Sequence, residues 1–127
     1  MSFTTWVKSL FTHRGKALAL YRSGMAKAKR QDYAGAIIDY GAAIESPQIP
    51  NDVKAMAIYN RALAYSAIGE DAKAADDLAA LLEMPGLPEN IATAAQQRRE
   101  RVRRRSESAV RPAGVKSGPA ADRTDAR

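Results

Sequence analysis

From about Lys16 onward, apolar residues recur three and four positions apart in blocks, and each block stops at a polar, Gly or Pro cluster. That spacing is the signature of amphipathic helices. It predicts helices over residues 16–30, 33–45, 52–68, 71–83 and 89–105. The punctuation agrees. Asp32 is placed to cap the helix that begins at Tyr33. Pro50, followed by Asn51 and Asp52, marks the next start. Gly69 suits a left-handed helix terminus, and Met84-Pro85-Gly86-Leu87-Pro88 cannot continue a helix. Runs of Val, Ile, Thr and aromatic residues, which strands prefer, are absent. The expected fold class is all-α.

The blocks repeat at an offset of 38. Ile44-Glu-Ser-Pro-Gln-Ile-Pro-Asn-Asp-Val53 aligns with Leu82-Glu-Met-Pro-Gly-Leu-Pro-Glu-Asn-Ile91. Ala57 and Arg61 align with Ala95 and Arg99. Upstream, Leu20, Tyr21, Gly24, Ala36, Tyr40 and Ala43 align with Ile58, Tyr59, Ala62, Ala74, Leu78 and Leu81. Each repeat therefore reads as two helices. The helix over 89–105 begins a third repeat that has no second helix.

The stretch Tyr59-Asn-Arg-Ala-Leu-Ala-Tyr65, with Gly69 and Ala74 to Leu81, resembles the tetratricopeptide-repeat (TPR) family. Gly24, Tyr33, Ala36, Tyr40, Ala43 and Pro47 carry the same resemblance in the first repeat. The family's small residues fall on Gly24 and Ala62 in first helices and on Ala36 and Ala74 in second helices. Small residues are needed where two helices touch. The resemblance covers about residues 16–99. It departs from the family in its period of 38, against 34, and in Lys27 where an aromatic is usual. It implies a right-handed solenoid of helical hairpins, with five main helices and a short N-terminal amphipathic helix. The expected division is an N-terminal segment 1–14, a helical domain 15–105, and a disordered basic tail 106–127. Within the domain, repeats span about 17–54 and 55–92, and the helix over 89–105 caps them.

The two ends read differently. The last helix carries Glu100 where the repeats carry Gly24 and Ala62, and it is polar from Gln96 to Arg105. The array should stop there. At the other end Phe3, Trp6, Val7, Leu10 and Phe11 recur at helical spacing and form one apolar stripe. It either folds back over the first repeat as a cap, or meets a membrane surface or a partner groove.

Charge sharpens this. Residues 1–30 hold seven Lys/Arg and no acid; residues 31–97 hold ten acids and three bases; residues 98–127 hold ten bases and four acids. The chain is basic, then acidic, then basic, which points to a charged partner. Six of the cations lie within Arg98 to Arg105, more than the helix dipole needs. Nucleic acid, an anionic membrane, or the acidic middle of a second copy are candidate partners for that run. No aromatics are interleaved with it, which argues against sequence-specific nucleic-acid recognition.

Catalytic chemistry is not apparent. The chain has no Cys and one His, His13, with no carboxylate near it in sequence. Asp76 and Asp77 are adjacent, so on a helix they point about 100° apart and make no acid–base pair. Phosphate-loop, zinc-protease, serine-hydrolase and EF-hand patterns are missing. No enzyme activity, metal or cofactor is expected. The N-terminus lacks a signal-peptide layout, and no stretch reaches the roughly 20 apolar residues of a membrane span. A cytoplasmic location, with peripheral membrane contact as a variant, is the expectation.

The TPR resemblance implies that first helices line a concave groove for an extended peptide or a helix. Transferred to this chain, the groove positions are Tyr21, Arg22, Met25 and Lys29, then Tyr59, Asn60, Leu63 and Ser66, then Gln97, Arg98 and Arg101. Tyr21 and Tyr59 would form an aromatic ladder, or else pack between helices. The cations favour an acidic or carboxylate-ended segment. Of five positions that clamp a C-terminal carboxylate in some family members, Asn60 and Arg98 match, whereas Tyr21, Met25 and Ala94 do not. The expected role is a protein-interaction adaptor or scaffold. The alternative is a peripheral subunit that docks on a membrane or nucleic acid through its basic ends. A short array buries little surface, so a partner or self-association is expected to add stability.

Overall fold

The computed structural model describes residues 2–110, apart from the side chains of residues 6–13 and 110. Five helices follow in order: α1 (Phe3–Lys29), α2 (Tyr33–Ile44), α3 (Asn51–Ala67), α4 (Asp71–Leu82) and α5 (Glu89–Val110). No strand occurs among the described residues, so the fold is all-α. Each helix packs on the next, and α1 also meets α3.

Two expected boundaries differ. No separate N-terminal helix precedes the repeats, because α1 runs unbroken from Phe3 to Lys29. Gly15 is the weak point at the expected boundary, and one Gly in a helix costs only about 1 kcal/mol. Ser2 caps the start by accepting from the Thr5 amide. At the other end α5 continues to Val110, beyond the expected stop near 105. The remainder of the expected tail lies outside the described residues. So do the side chains of Trp6, Val7, Leu10 and Phe11 from the apolar stripe, while Phe3 is largely exposed.

The 38-residue register recurs in the backbone. All four positive φ values among the described residues come as two register pairs: Gln31 (67°) with Gly69 (82°), and Gln48 (59°) with Gly86 (71°). Gln31 and Gly69 close the first helices in the same way. The Asp32 amide donates to the Lys27 carbonyl at 2.8 Å, and the Gln31 amide to that of Ala28 at 2.9 Å. The Glu70 amide donates to the Tyr65 carbonyl at 2.9 Å, and the Gly69 amide to that of Ser66 at 3.1 Å. These are the paired bonds of a helix end that turns through a left-handed residue. Asp32 then caps α2 by accepting from the Gly35 amide at 3.0 Å.

Small residues let the hairpins close. Gly24, Ala36, Ala62 and Ala74 are buried, and so are the large partners Tyr40 and Leu78. A Cβ on Gly24 would lie 2.6 Å from the Tyr40 ring, so Gly there and Tyr at 40 require each other. The second repeat makes the other choice, Ala62 with the slimmer Leu78.

The first helices α1, α3 and α5 differ in how many of their faces are buried. In α3 both faces are buried, through Ala55 and Ala62 on one and Ala57 and Ala64 on the other. Among the described side chains, α1 buries only Ala17 and Gly24, and their opposite numbers Ala19 and Ala26 are exposed. Among those of α5, only Ala95 and Val102 are buried, while Thr93 is exposed and Glu100 half-exposed. Polar braces repeat as well. Ser23 Oγ donates to Asp39 Oδ2 at 2.6 Å, and Lys27 Nζ lies 3.0 Å from the same oxygen. One register step on, Arg61 makes a two-pronged bond to Asp77, at 2.9 and 2.7 Å.

Candidate functional site

The first helices line two clefts that correspond in register. The first lies between Leu18 of α1 and Val53 of α3, with Arg14, Gly15 and Pro50 at its edges, and measures about 310 Å³. The second lies between Met56 and Tyr59 of α3 and Ile91 and Ala94 of α5, with Asn90 at its edge, and measures about 240 Å³. Leu18 aligns with Met56 and Val53 with Ile91, so each helix step presents the same pair of apolar walls. None of Leu18, Val53, Met56, Ile91 and Ala94 belongs to the groove set read from the sequence. The signal for them was the repeat offset itself, which puts apolar residues at matching positions outside the core pattern.

The sequence-derived groove residues do not all face a ligand. Tyr21 is half-buried; its hydroxyl accepts from Asn60 Nδ2 at 3.0 Å, and its ring lies 6.0 Å from that of Tyr40. One Nδ2 hydrogen of Asn60 thus ties α3 to α1. Burial raises the Tyr21 phenol above its ordinary pKa, and the Asn60 bond offsets part of that. Tyr59 is half-buried and walls the second cleft. Arg22, Met25 and Lys29 are exposed along α1, and Arg101 along α5. Leu63 and Arg98 are half-buried, Gln97 is exposed, and Ser66 is buried.

The arginine run divides into two groups. Arg103 pairs with Glu100 and Glu107, Arg104 with Glu100, and Arg105 with Asp71. Arg98, Arg99 and Arg101 make no ion pair with the described residues. Arg105, read from the sequence as one of the run of six, reaches the corner where α3 turns into α4. It donates to the Ser66 carbonyl at 2.8 Å, to the Ser66 hydroxyl, and to both oxygens of Asp71, at 3.2 and 2.5 Å.

The corner between α1 and α2, one register step earlier, is open. It is a slot of about 270 Å³ walled by Ala28, Tyr33, Tyr40, Asn60, Leu63, Ala64 and Ala67. Ala67 occupies the register position of Arg105, and leaves the space that Arg105 fills in the next repeat.

Two apolar clefts, an aromatic-walled slot and uncommitted guanidinium groups can hold side chains of a partner. No group of three or more His, Cys, Asp or Glu placed to hold a metal ion occurs among the described residues. No helix among them is long and apolar enough to cross a membrane. Comparison with protein-family models, curated proteins and solved structures gave no match.

Proposed function

We propose that this chain is a short helical-hairpin repeat protein of the TPR kind, and that it acts as a protein-interaction adaptor. Its partner segment, a peptide or a helix, lies across α1, α3 and α5 and inserts apolar side chains into the two clefts. The observation that carries this is the recurrence of the cleft at the repeat offset: Leu18 with Val53, then Met56 with Ile91. Recurrent pockets one helix step apart suit a linear ligand with recurrent anchors. Arg14 beside the first cleft and Arg98 and Arg101 along α5 favour acidic residues between the anchors. The Tyr21–Asn60 bond engages one hydrogen of the Asn60 amide, and recognition rests chiefly on the apolar anchors and the arginines.

The test is titration of a labelled acidic peptide library, Leu-rich at alternating spacings, followed by fluorescence anisotropy. Ala94→Glu, which fills the second cleft with a charge, should weaken the selected peptides at least tenfold. Circular dichroism should show unchanged helicity, since Ala94 is only half-buried. Equal binding by wild type and variant would remove the cleft from the proposal. Docking on a membrane or nucleic acid through the basic ends is the less favoured reading, because Arg103, Arg104 and Arg105 are engaged within the molecule.

A further inference from the structure

We infer that the open slot at the α1–α2 corner is a binding site for a guanidinium group, the arginine side chain of a partner. One register step later, the same corner holds a guanidinium already. There Arg105 reaches back from α5 and donates to the Ser66 carbonyl and to Asp71. That carbonyl also accepts the Gly69 amide at 3.1 Å, so one carbonyl oxygen serves two donors.

The first corner has the same framework without the occupant. The Ala28 carbonyl aligns with that of Ser66 and accepts the Gln31 amide at 2.9 Å, leaving its second lone pair for another donor. Ala67 aligns with Arg105 and supplies no side chain to use it. The slot is about 270 Å³, open to solvent on one side.

Three features favour a cation. The last turns of α1 and α3 both border the slot, through Ala28 and through Ala64 and Ala67, and helix C-termini carry partial negative charge. Tyr33, half-buried, walls it, and a planar guanidinium stacks on such a ring, while the buried Tyr40 closes the floor. Asn60 borders it too, and with its Nδ2 donated to Tyr21 its carbonyl oxygen is the end left to accept. The neighbouring cations Lys27, Lys29 and Arg30 oppose this. Lys27 is paired with Asp39, and Lys29 and Arg30 are exposed to water, which screens them. Tyr33 stands where Asp71 stands in the filled corner, so the site is weaker than its counterpart and suits a side chain delivered by a tethered partner.

The probe is Nα-acetyl-arginine amide, with the isosteric but neutral citrulline amide as control, titrated into the ¹⁵N-labelled full chain. Arginine amide should shift the amide resonances of Ala28, Asn60 and Ala67 in the millimolar range. Citrulline amide should bind at least fivefold more weakly. Ala67→Arg, which rebuilds the filled corner on an exposed helix position, should abolish the response and keep the rest of the spectrum. Equal shifts from the two amides, no shifts at these residues, or an undiminished response in Ala67→Arg would each overturn the inference. A variant with Arg111, Arg123 and Arg127 replaced by Gln addresses the source. If it alters the slot resonances before any ligand is added, the chain's own C-terminal segment is the occupant, and the partner-borne reading is overturned.

Discussion

Gly24 and Tyr40 illustrate how one residue choice commits another. The absent Cβ lets the Tyr40 ring lie against α1, and the added methyl of Gly24→Ala would collide with the Cδ1–Cε1 edge of that ring. Ala is the better helix former by about 1 kcal/mol, which would favour the substitution on propensity alone. Overpacking of a buried contact costs about 1–3 kcal/mol, and the ring, 1% exposed, has no room to move. Gly24→Ala should therefore destabilise the protein in urea unfolding. Adding Tyr40→Leu copies the Ala62–Leu78 pair of the second repeat and should recover part of the loss, a coupling that a double-mutant cycle measures. Gln31 gives the opposite sign. It holds φ at 67°, where its register partner is Gly69. A left-handed non-Gly residue costs roughly 1–2 kcal/mol, and Gly returns part of that as unfolded-state entropy. Gln31→Gly should stabilise by about 0.5–1 kcal/mol, read from the urea midpoint.

At the scale of elements, helix boundaries were legible wherever the chain is punctuated. Asp32, Pro50, Gly69 and the Pro85–Pro88 loop each stop or start a helix by a local mechanism, so α2, α3 and α4 lie within a residue of expectation. Where punctuation is weak the reading failed. Gly15 did not break α1, and Glu107, which stands in register with Gln31 and Gly69, did not turn α5. Glu107 instead stays helical and pairs with Arg103 at 2.8 Å. The candidate site was less legible, because periodicity gives the face of a residue and not its partner. Asn60 reads as a ligand group until its bond to Tyr21 is seen, and Arg105 reads as one more surface charge. Arg105 in fact ties α5 to the α3–α4 corner, beyond the buried Val102. Arg105→Ala should cost only about 0.5–1 kcal/mol, since the arginine is half exposed. The loss should be local: hydrogen exchange should quicken in the C-terminal turns of α5 and stay unchanged in α2.

For the whole molecule, the titrating groups set a window of stability with different causes at its two edges. On the acid side, the bond from Ser23, helped by Lys27 and opposed by burial, holds Asp39 below its ordinary carboxylate range. A group with a lowered folded pKa contributes stability above its unfolded value, here 3.8, and loses it as pH falls through the folded value. On the alkaline side, burial first, then the neighbouring Tyr21 and Asp39, push Tyr40 from 10.0 up to about 12. Its neutral form is favoured in the fold, so that contribution is intact below pH 10 and declines as pH rises toward 12. The slope there approaches about 1.4 kcal/mol per pH unit for a single proton. Tyr21, raised chiefly by burial, adds to the same limb. Urea unfolding across pH should thus give a plateau between about pH 4 and 10 with a fall on each side. Tyr40→Phe keeps the ring that fills the space beside Gly24 and removes the titrating hydroxyl. It should flatten the fall between pH 10 and 12 and leave the acid limb in place. An alkaline limb unchanged in Tyr40→Phe would place the lost stability elsewhere, with Tyr21 and its bond to Asn60 the next group to test.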